Sequence, residues 1–251
     1  MSVLTIYKPI GKTPLDMIKE LKKKKEYENT KMSYAGRLDP MAHGVQLIIT
    51  DELCHQPHQF LNLDKTYEFS ICFGIETDTH DILGKITNVK LEHNVYSDNR
   101  LIISDILDKF VGKIIQEYPI YSSKRVDGKP LWYYAKNNLP VDIPVHEIHI
   151  RTLKYIDVTY IDLHQYLQEI IDKIRMLDQN YDFRQKEIIA GWTKLLKDTS
   201  RQKRQQILLK LRAEVSSGTY IRILVRDICD YLGIIGMTSE IHRTKIGIYE
   251  L

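Results

Sequence analysis

The stretch Thr66-Tyr67-Glu68-Phe69-Ser70-Ile71-Cys72-Phe73-Gly74 decides the architecture. Tyr67, Phe69, Ile71 and Phe73 alternate with Thr66, Glu68, Ser70 and Cys72, and a period of two is a strand with two unlike faces. Downstream, Ile221, Leu224, Val225, Ile228 and Leu232 recur at the 3.6-residue period of a helix that Gly233 ends. Upstream, Thr13 reads as an N-cap, with Pro14 at the first helical position and Asp16 three residues past the cap. Leu15, Ile18 and Leu21 of that helix are expected to face inward. A short helix is expected to open at Ser104 and close at Gly112. Strands and helices interleave without a repeating strand-helix-strand period or internal repeats, which points to a mixed α/β or α+β fold rather than a doubly wound sheet.

Composition sets the outer bounds. With 251 residues, 43% hydrophobic and 27% charged, the chain can bury a sizeable core and is neither disordered nor fibrous. No apolar run approaches the roughly 20 residues that span a bilayer, and Lys8 and Pro9 interrupt the start where a signal peptide needs an apolar segment. A soluble, unprocessed protein with no membrane partner is expected, cytoplasmic, with nucleus or organelle still open. Cys54, Cys72 and Cys229 contain no CxxC and leave one unpaired in any disulfide scheme, as in a reducing compartment.

The net charge of +3 is small for this length, but its distribution is uneven. Residues 184–212 hold nine Lys or Arg against Glu187 and Asp198, a local +7 that leaves −4 for the remainder. Lys22 to Lys25 form a second cluster. Such runs belong either to solvated helix faces or to nucleic-acid contacts. The polar stretch 163–208 carries Tyr166, Ile170, Ile174 and Leu177 at helical spacing and reads as a helical, basic insertion.

Four segments carry chemistry. In Ala35-Gly36-Arg37-Leu38-Asp39-Pro40-Met41-Ala42-His43-Gly44, Pro40 pushes Asp39 toward an extended conformation, while Gly36, Ala42 and Gly44 let another chain approach. Asp39 is then either displayed on an uncrowded loop or capping its own turn. In Gly218-Thr219-Tyr220-Ile221-Arg222, Arg222 sits in the first helical turn, where the helix dipole disfavours a cation by roughly 0.3–1 kcal/mol. It is either a surface residue or paired with an anion, with Asp39 and an RNA phosphate as candidates. Thr77-Asp78-Thr79-His80-Asp81, with Gly84 after it, lacks a second ligand cluster for a metal and reads as a hydrogen-bonded loop beside a cleft. Finally, Tyr121-Ser122-Ser123-Lys124-Arg125-Val126-Asp127-Gly128-Lys129, with Trp132, Tyr133, Tyr134 and Lys136, interleaves rings with cations as single-stranded RNA sites do.

Taken in order, these segments resemble the TruB family of pseudouridine synthases, whose bacterial members modify uridine 55 in the T arm of tRNA. The likeness runs from Tyr7-Lys8-Pro9-Ile10-Gly11-Lys12-Thr13 through 36–44, Lys65-Thr66-Tyr67, 74–84, 116–136 and 218–222 to Arg243-Thr244-Lys245-Ile246-Gly247. The resemblance implies the pseudouridine synthase fold, α+β, with a mixed, largely antiparallel central sheet flanked by helices and loops. It implies a single catalytic domain over 1–251, interrupted by the insertion at 163–208, without the C-terminal RNA-binding PUA domain of many relatives. The family's nucleophile falls on Asp39, its base-stacking tyrosine on Tyr67, and its second active-site tyrosine and aspartate-pairing arginine on Tyr220 and Arg222. The implied reaction is a tRNA uridine isomerisation by base flipping, needing no cofactor and no metal. Arg222 would keep a desolvated carboxylate charged and aimed.

RNA, expected to be tRNA, would be held by Tyr34, Arg37, His43, Lys124, Arg125, Lys129 and Lys136, and by Arg201, Lys203 and Arg204 of the insertion. A monomer without a guide RNA is expected. The chain departs from the family pattern at Tyr34, where a histidine is usual, at His43 for threonine, at Ser123 for alanine, and at Tyr118 and Pro130 in the RNA-gripping segment. These bear on base flipping and substrate choice rather than on the chemistry. Rival readings are a catalytically idle RNA-binding or RNA-folding protein, a glycosylase that cleaves without rejoining, and a guide-RNA-dependent enzyme.

Overall fold

The computed structural model describes residues 2–91, 100–200 and 204–251. The chain begins with β1 (Val3–Lys8), α1 (Pro14–Leu21), β2 (Met32–Ala35), β3 (His43–Thr50), α2 (His58–Leu61) and β4 (Lys65–Phe73). It continues through β5 (Ile75–Thr77), β6 (Ile86–Val89), α3 (Arg100–Asp108), β7 (Gly112–Glu117), β8 (Arg125–Val126), β9 (Lys129–Pro130) and α4 (Leu131–Lys136). The last part holds β10 (Val145–Asp162), α5 (Leu163–Arg175), α6 (Gln185–Thr199), β11 (Gln205–Val215), α7 (Ile221–Leu232), β12 (Gly236–Ile246) and β13 (Tyr249–Glu250).

One large sheet, ordered β1-β3-β12-β4-β11-β10-β7 with β2 and β13 appended, carries the molecule. Its pairings are antiparallel except β3 with β12, which run parallel at His43 with His242 and Gly44 with Arg243. The mixed, largely antiparallel α+β sheet expected from the resemblance is the one observed. Gly44 sits at the parallel contact with φ +111°, and a Cβ there would lie 2.2 Å from the Arg243 carbonyl oxygen, so only glycine lets the two strands meet.

β4 lies at the middle of the sheet. Its Tyr67, Phe69, Ile71 and Phe73 share one core with Leu224, Val225 and Ile228 of α7 and Ile103 and Leu107 of α3. On the other face Thr66 and Glu68 stay half-exposed, but Cys72 is buried with Met237 in a second core built from α5 and α6. The two faces are therefore unlike only over the first half of the strand, because the helical pair covers the second half.

That pair is set by apolar spacing: Tyr166, Ile170, Ile174 and Leu177 are buried as their period requires. Trp192 of α6 is fully buried and its indole N–H donates to the Ile82 carbonyl at 3.1 Å. Trp192→Ala is expected to destabilise the whole protein by about 3–5 kcal/mol in urea unfolding, as a solvated hairpin hung on the surface would not.

The structure corrects three details. α3 begins at Arg100, ahead of Ser104, because its buried stripe needs Ile103 as well as Leu107, and Gly112 opens β7 instead of capping the helix. Residues 205–208 are strand, since the two sheet partners of β11 pair with them at Asp162 and Cys72. Leu15 is 47% exposed. Helix α1 does start at a capping box, with Thr13 Oγ1 accepting from the Asp16 N–H and the Thr13 N–H donating to Asp16 Oδ2 at 2.8 Å. It packs by Pro14, Asp16 and Ile18, which leaves Leu15 on the edge of the cleft described next.

Candidate active site

Asp39 stands on the loop between β2 and β3. That loop is tied down by its own turn, Ala42 N–H to Asp39 carbonyl at 3.1 Å, and by the Gly11 N–H, which donates to the Pro40 carbonyl at 2.9 Å. Arg222 is the second residue of α7 and is almost wholly buried. Its Nε donates to Asp39 Oδ2 at 2.8 Å, Nη1 to the Thr79 carbonyl at 3.0 Å, and Nη2 to the Tyr121 carbonyl at 3.4 Å. A second carboxylate, Asp81, places Oδ2 3.7 Å from the same Nε. The cation at the helix start thus has its anion, and it is Asp39. Two carboxylates and two carbonyls offset both the dipole and the desolvation of the guanidinium.

Asp81 is held by Thr79 Oγ1 at 2.6 Å and by the Leu83 N–H at 2.9 Å. Burial pushes its carboxyl pKa above the ordinary range even with Arg222 pulling it down. The loop of Thr77 to Gly84 is hydrogen-bonded and borders the cleft.

Tyr220 is the N-cap residue of α7, and Gln116 clamps its backbone from both sides, accepting from its N–H at 2.8 Å and donating to its carbonyl at 3.1 Å. Burial and then the Asp39 carboxylate push the Tyr220 phenol up to about 12, so it stays protonated as a hydrogen-bond donor. Tyr67 projects from β4, and both rings line with Asp39 and Arg222 one open cleft of about 930 Å³. The four residues assigned from sequence to the catalytic group are brought together.

Of the residues expected to hold RNA, Tyr34, Arg37, Lys124 and Lys136 line this cleft, with Arg37 Nη1 donating to Ser123 Oγ and Lys124 Nζ 4.7 Å from the Tyr118 ring centre. His43, Arg125, Lys129 and Arg204 lie off it. His43, the first residue of β3, stacks on His242 at 4.5 Å and shares hydrogen bonds with Tyr7 and Glu240, while Ala42 before it lines the cleft. Arg125 and Lys129 occupy the hairpin β8–β9, turned by Asp127 and Gly128 at positive φ. Arg204 precedes β11 and donates to the Leu91 carbonyl at 3.4 Å. Arg201 and Lys203 lie outside the described residues.

Sequence reading assigned no role to Lys8, Lys65 or Arg243 and placed Arg184 only in the basic run 184–212; all four lie close to this centre. Lys8 is fully buried, and its Nζ donates to the carbonyls of Lys12 at 2.7 Å, Pro9 at 3.0 Å and Pro40 at 3.4 Å, bracing the Asp39 loop. Lys65 Nζ donates to the Leu61 and Leu63 carbonyls, both at 2.6 Å. Arg243 holds the Val45 and Gly36 carbonyls. Burial lowers the Lys8 ammonium to about 7, against the opposing pull of Asp39, and the Lys65 ammonium to about 8.

Both values lie below those of the unfolded chain, so between about pH 7 and 10 the unfolded state binds more protons and stability should rise with pH. Unfolding midpoints across that range should show the rise, and the double variant Lys8→Met/Lys65→Met should flatten it.

The sequence model described as "TruB family pseudouridylate synthase (N terminal domain)" matches residues 23–169, more than half of the chain. Among curated proteins, "tRNA pseudouridine synthase B" of Caldicellulosiruptor saccharolyticus is 27% identical over 249 residues, covering 99% of this chain and 68% of that protein. The protein of the same name from Ligilactobacillus salivarius is 29% identical over 250 residues, covering 99% and 68%. That of Aquifex aeolicus is 29% identical over 243 residues, covering 97% and 67%. Among solved structures, a chain of a Cbf5-Nop10-Gar1 complex superposes with a TM-score of 0.59 at 18% identity, over 99% of this chain and 49% of that one. A chain of an H/ACA RNP bound to a substrate RNA containing 2′-deoxyuridine gives 0.54 at 17% identity, over 99% and 48%. The chain spans about half the length of those two solved chains, and the likeness is one of fold.

Proposed function

The chain belongs to the TruB family of pseudouridylate synthases, and on that premise we propose that it isomerises uridine to pseudouridine in tRNA, at uridine 55 of the T arm. The observation that carries the reading is the Asp39 carboxylate held 2.8 Å from Arg222 in a cleft that Tyr67 and Tyr220 also line. The name shared by the curated relatives supports tRNA as the substrate.

The target nucleotide leaves the RNA stack at a cost of a few kcal/mol, and stacking on the Tyr67 ring returns roughly 1–3 kcal/mol. Asp39, aimed by Arg222, acts at the ribose. The bond from C1′ to N1 breaks, the base turns in the cleft, and a bond from C1′ to C5 forms. The proton lost from C5 is balanced by one gained at N1, so product and substrate are isomers and no external redox partner or cofactor is consumed. Arg37, Lys124 and Lys136 at the cleft provide charge for phosphates, which position the RNA. The chain works as a monomer without a guide RNA.

The test is the purified chain alone with an unmodified tRNA transcript, followed by pseudouridine-specific chemical probing. An isomerised uridine at position 55 is expected. An abasic product would mark a glycosylase, tight binding without product an idle RNA-binding protein, and product only after adding a second RNA a guided enzyme.

A further inference from the structure

Arg184, the residue that opens α6, reaches from the helical pair into the active-site wall. Its Nη1 and Nη2 both donate to the Asp78 carboxylate, Nη2 to Oδ1 at 3.2 Å, and its guanidinium carbon lies 4.1 Å from the centre of the Tyr121 ring. Tyr121 Oη closes the triangle by donating to Asp78 Oδ2 at 3.3 Å. The side chain of Arg184 is only 15% exposed and that of Asp78 25%, so the pair is partly desolvated and bidentate, unlike the exposed Lys136 and Asp182 pair next to it.

The two segments that this triangle joins both hold Arg222. One residue from Asp78, the Thr79 carbonyl accepts Arg222 Nη1 at 3.0 Å, and the Tyr121 carbonyl accepts Arg222 Nη2. Arg184 also has φ +62° and ψ +26°, a left-handed conformation uncommon for a residue with a side chain. Strain of this kind persists where surrounding contacts over-determine it, and it clusters at functional sites. Here the contacts are the paired carboxylate and the stacked ring.

We infer that Arg184 is a positioning residue of the isomerase centre: by locking Asp78 to Tyr121 it fixes the two carbonyls that orient Arg222, and through Arg222 the carboxylate of Asp39. The inference rests on the proposed reaction for its kinetic consequence and on geometry alone for its structural one. It assigns the helical pair an active-site task that does not depend on contact with RNA.

The test compares Arg184→Met, Asp78→Asn and the double variant with the unaltered chain, using single-turnover and steady-state kinetics on a tRNA transcript. A positioning role lowers kcat about tenfold in each single variant with KM within twofold, and the double variant is no slower than either single one, because all three break the same pair. Arg184→Lys restores charge without the fork and the stacking plane, so it should recover little. If Arg184 instead grips a phosphate, Arg184→Met raises KM at unchanged kcat while Asp78→Asn does not, and the inference is overturned. A readout free of activity runs beside it: the Nε–H signal of Arg222 in ¹⁵N-arginine-labelled protein, assigned with Arg222→Lys. It should shift and exchange faster in Arg184→Met and in Asp78→Asn, and an unmoved signal in folded variants overturns the inference. If the unaltered chain makes no pseudouridine, the proposed function fails, while the Arg222 signal still decides whether Arg184 positions it.

Discussion

Asp39→Ala is expected to abolish pseudouridine formation, by at least about 10³-fold, the scale on which removing a reacting group registers. Its affinity for tRNA should stay within a few-fold. The fold survives this change because Arg222, deprived of Asp39, still has Asp81 within 3.7 Å and the carbonyls of Thr79 and Tyr121. Affinity survives because phosphate contacts supply a large share of the binding free energy of such complexes, and Arg37, Lys124 and Lys136 at the cleft are untouched. Losing a carboxylate near a polyanion should, if anything, tighten binding slightly. Single-turnover assays on a transcript, with filter binding in parallel, read both quantities. Turnover retained in the variant would refute the assignment of Asp39.

Arg222→Met has the second large effect, and it is double. It removes the partner that orients Asp39, so activity should fall as far as in Asp39→Ala. It also leaves Asp81 buried without its cation, and breaking such a pair costs about 3–5 kcal/mol. The Asp81 carboxyl already lies above its ordinary range through burial, and without Arg222 it moves higher. A carboxyl whose folded pKa exceeds its unfolded one binds more protons in the folded state over the interval between them. Stability is therefore lost as pH rises through that interval and regained as pH falls toward about 4. Urea unfolding of Arg222→Met should show this acid-side recovery. Arg222→Met/Asp81→Asn should recover much of the neutral-pH stability and none of the activity. Equal loss at all pH values would mean that Asp81 is not the group left exposed to the penalty.

The distance between these two variants and the sequence pattern shows how much of the site was legible in advance. Asp39 was readable as a carboxylate either displayed on a loop or capping its own turn, because Pro40 and the small residues around it constrain the backbone locally, and the resemblance was needed to choose. Arg222 was readable as a cation out of place, because the dipole of its own helix disfavours it. Which anion answers it was not readable from local pattern: Asp39 was one of two candidates and only the family resemblance implied it, because Asp39 and Arg222 lie 183 residues apart and meet at 2.8 Å only in the fold. Asp81 was hidden differently: its loop read as hydrogen-bonded, but nothing local shows that one of its carboxylates turns inward toward a guanidinium. Lys8 and Lys65 are harder still, because lysine is ordinarily solvated and burial against carbonyls is decided by what packs over it. His43 shows a placement that only the fold decides. It stands four residues from Asp39, where the family usually has threonine, yet it stacks on His242 and lies off the cleft that Ala42 lines.

Local order along the chain determined the middle strand, the capped first helix and the closing helix from Ile221 to Leu232, because periods of 2 and 3.6 and the chemistry of caps act between near neighbours. The resemblance implied Arg222 as the partner of Asp39, but only the tertiary structure decided the geometry of that pair, that Asp81 shares Arg222, and that Arg184 of a basic helical stretch braces the same centre. Those contacts join residues whose attraction in water is weak and not selective. They become specific because the fold buries Arg222 and most of Arg184 and fixes the partly exposed Asp39 and Asp78 carboxylates within reach of them.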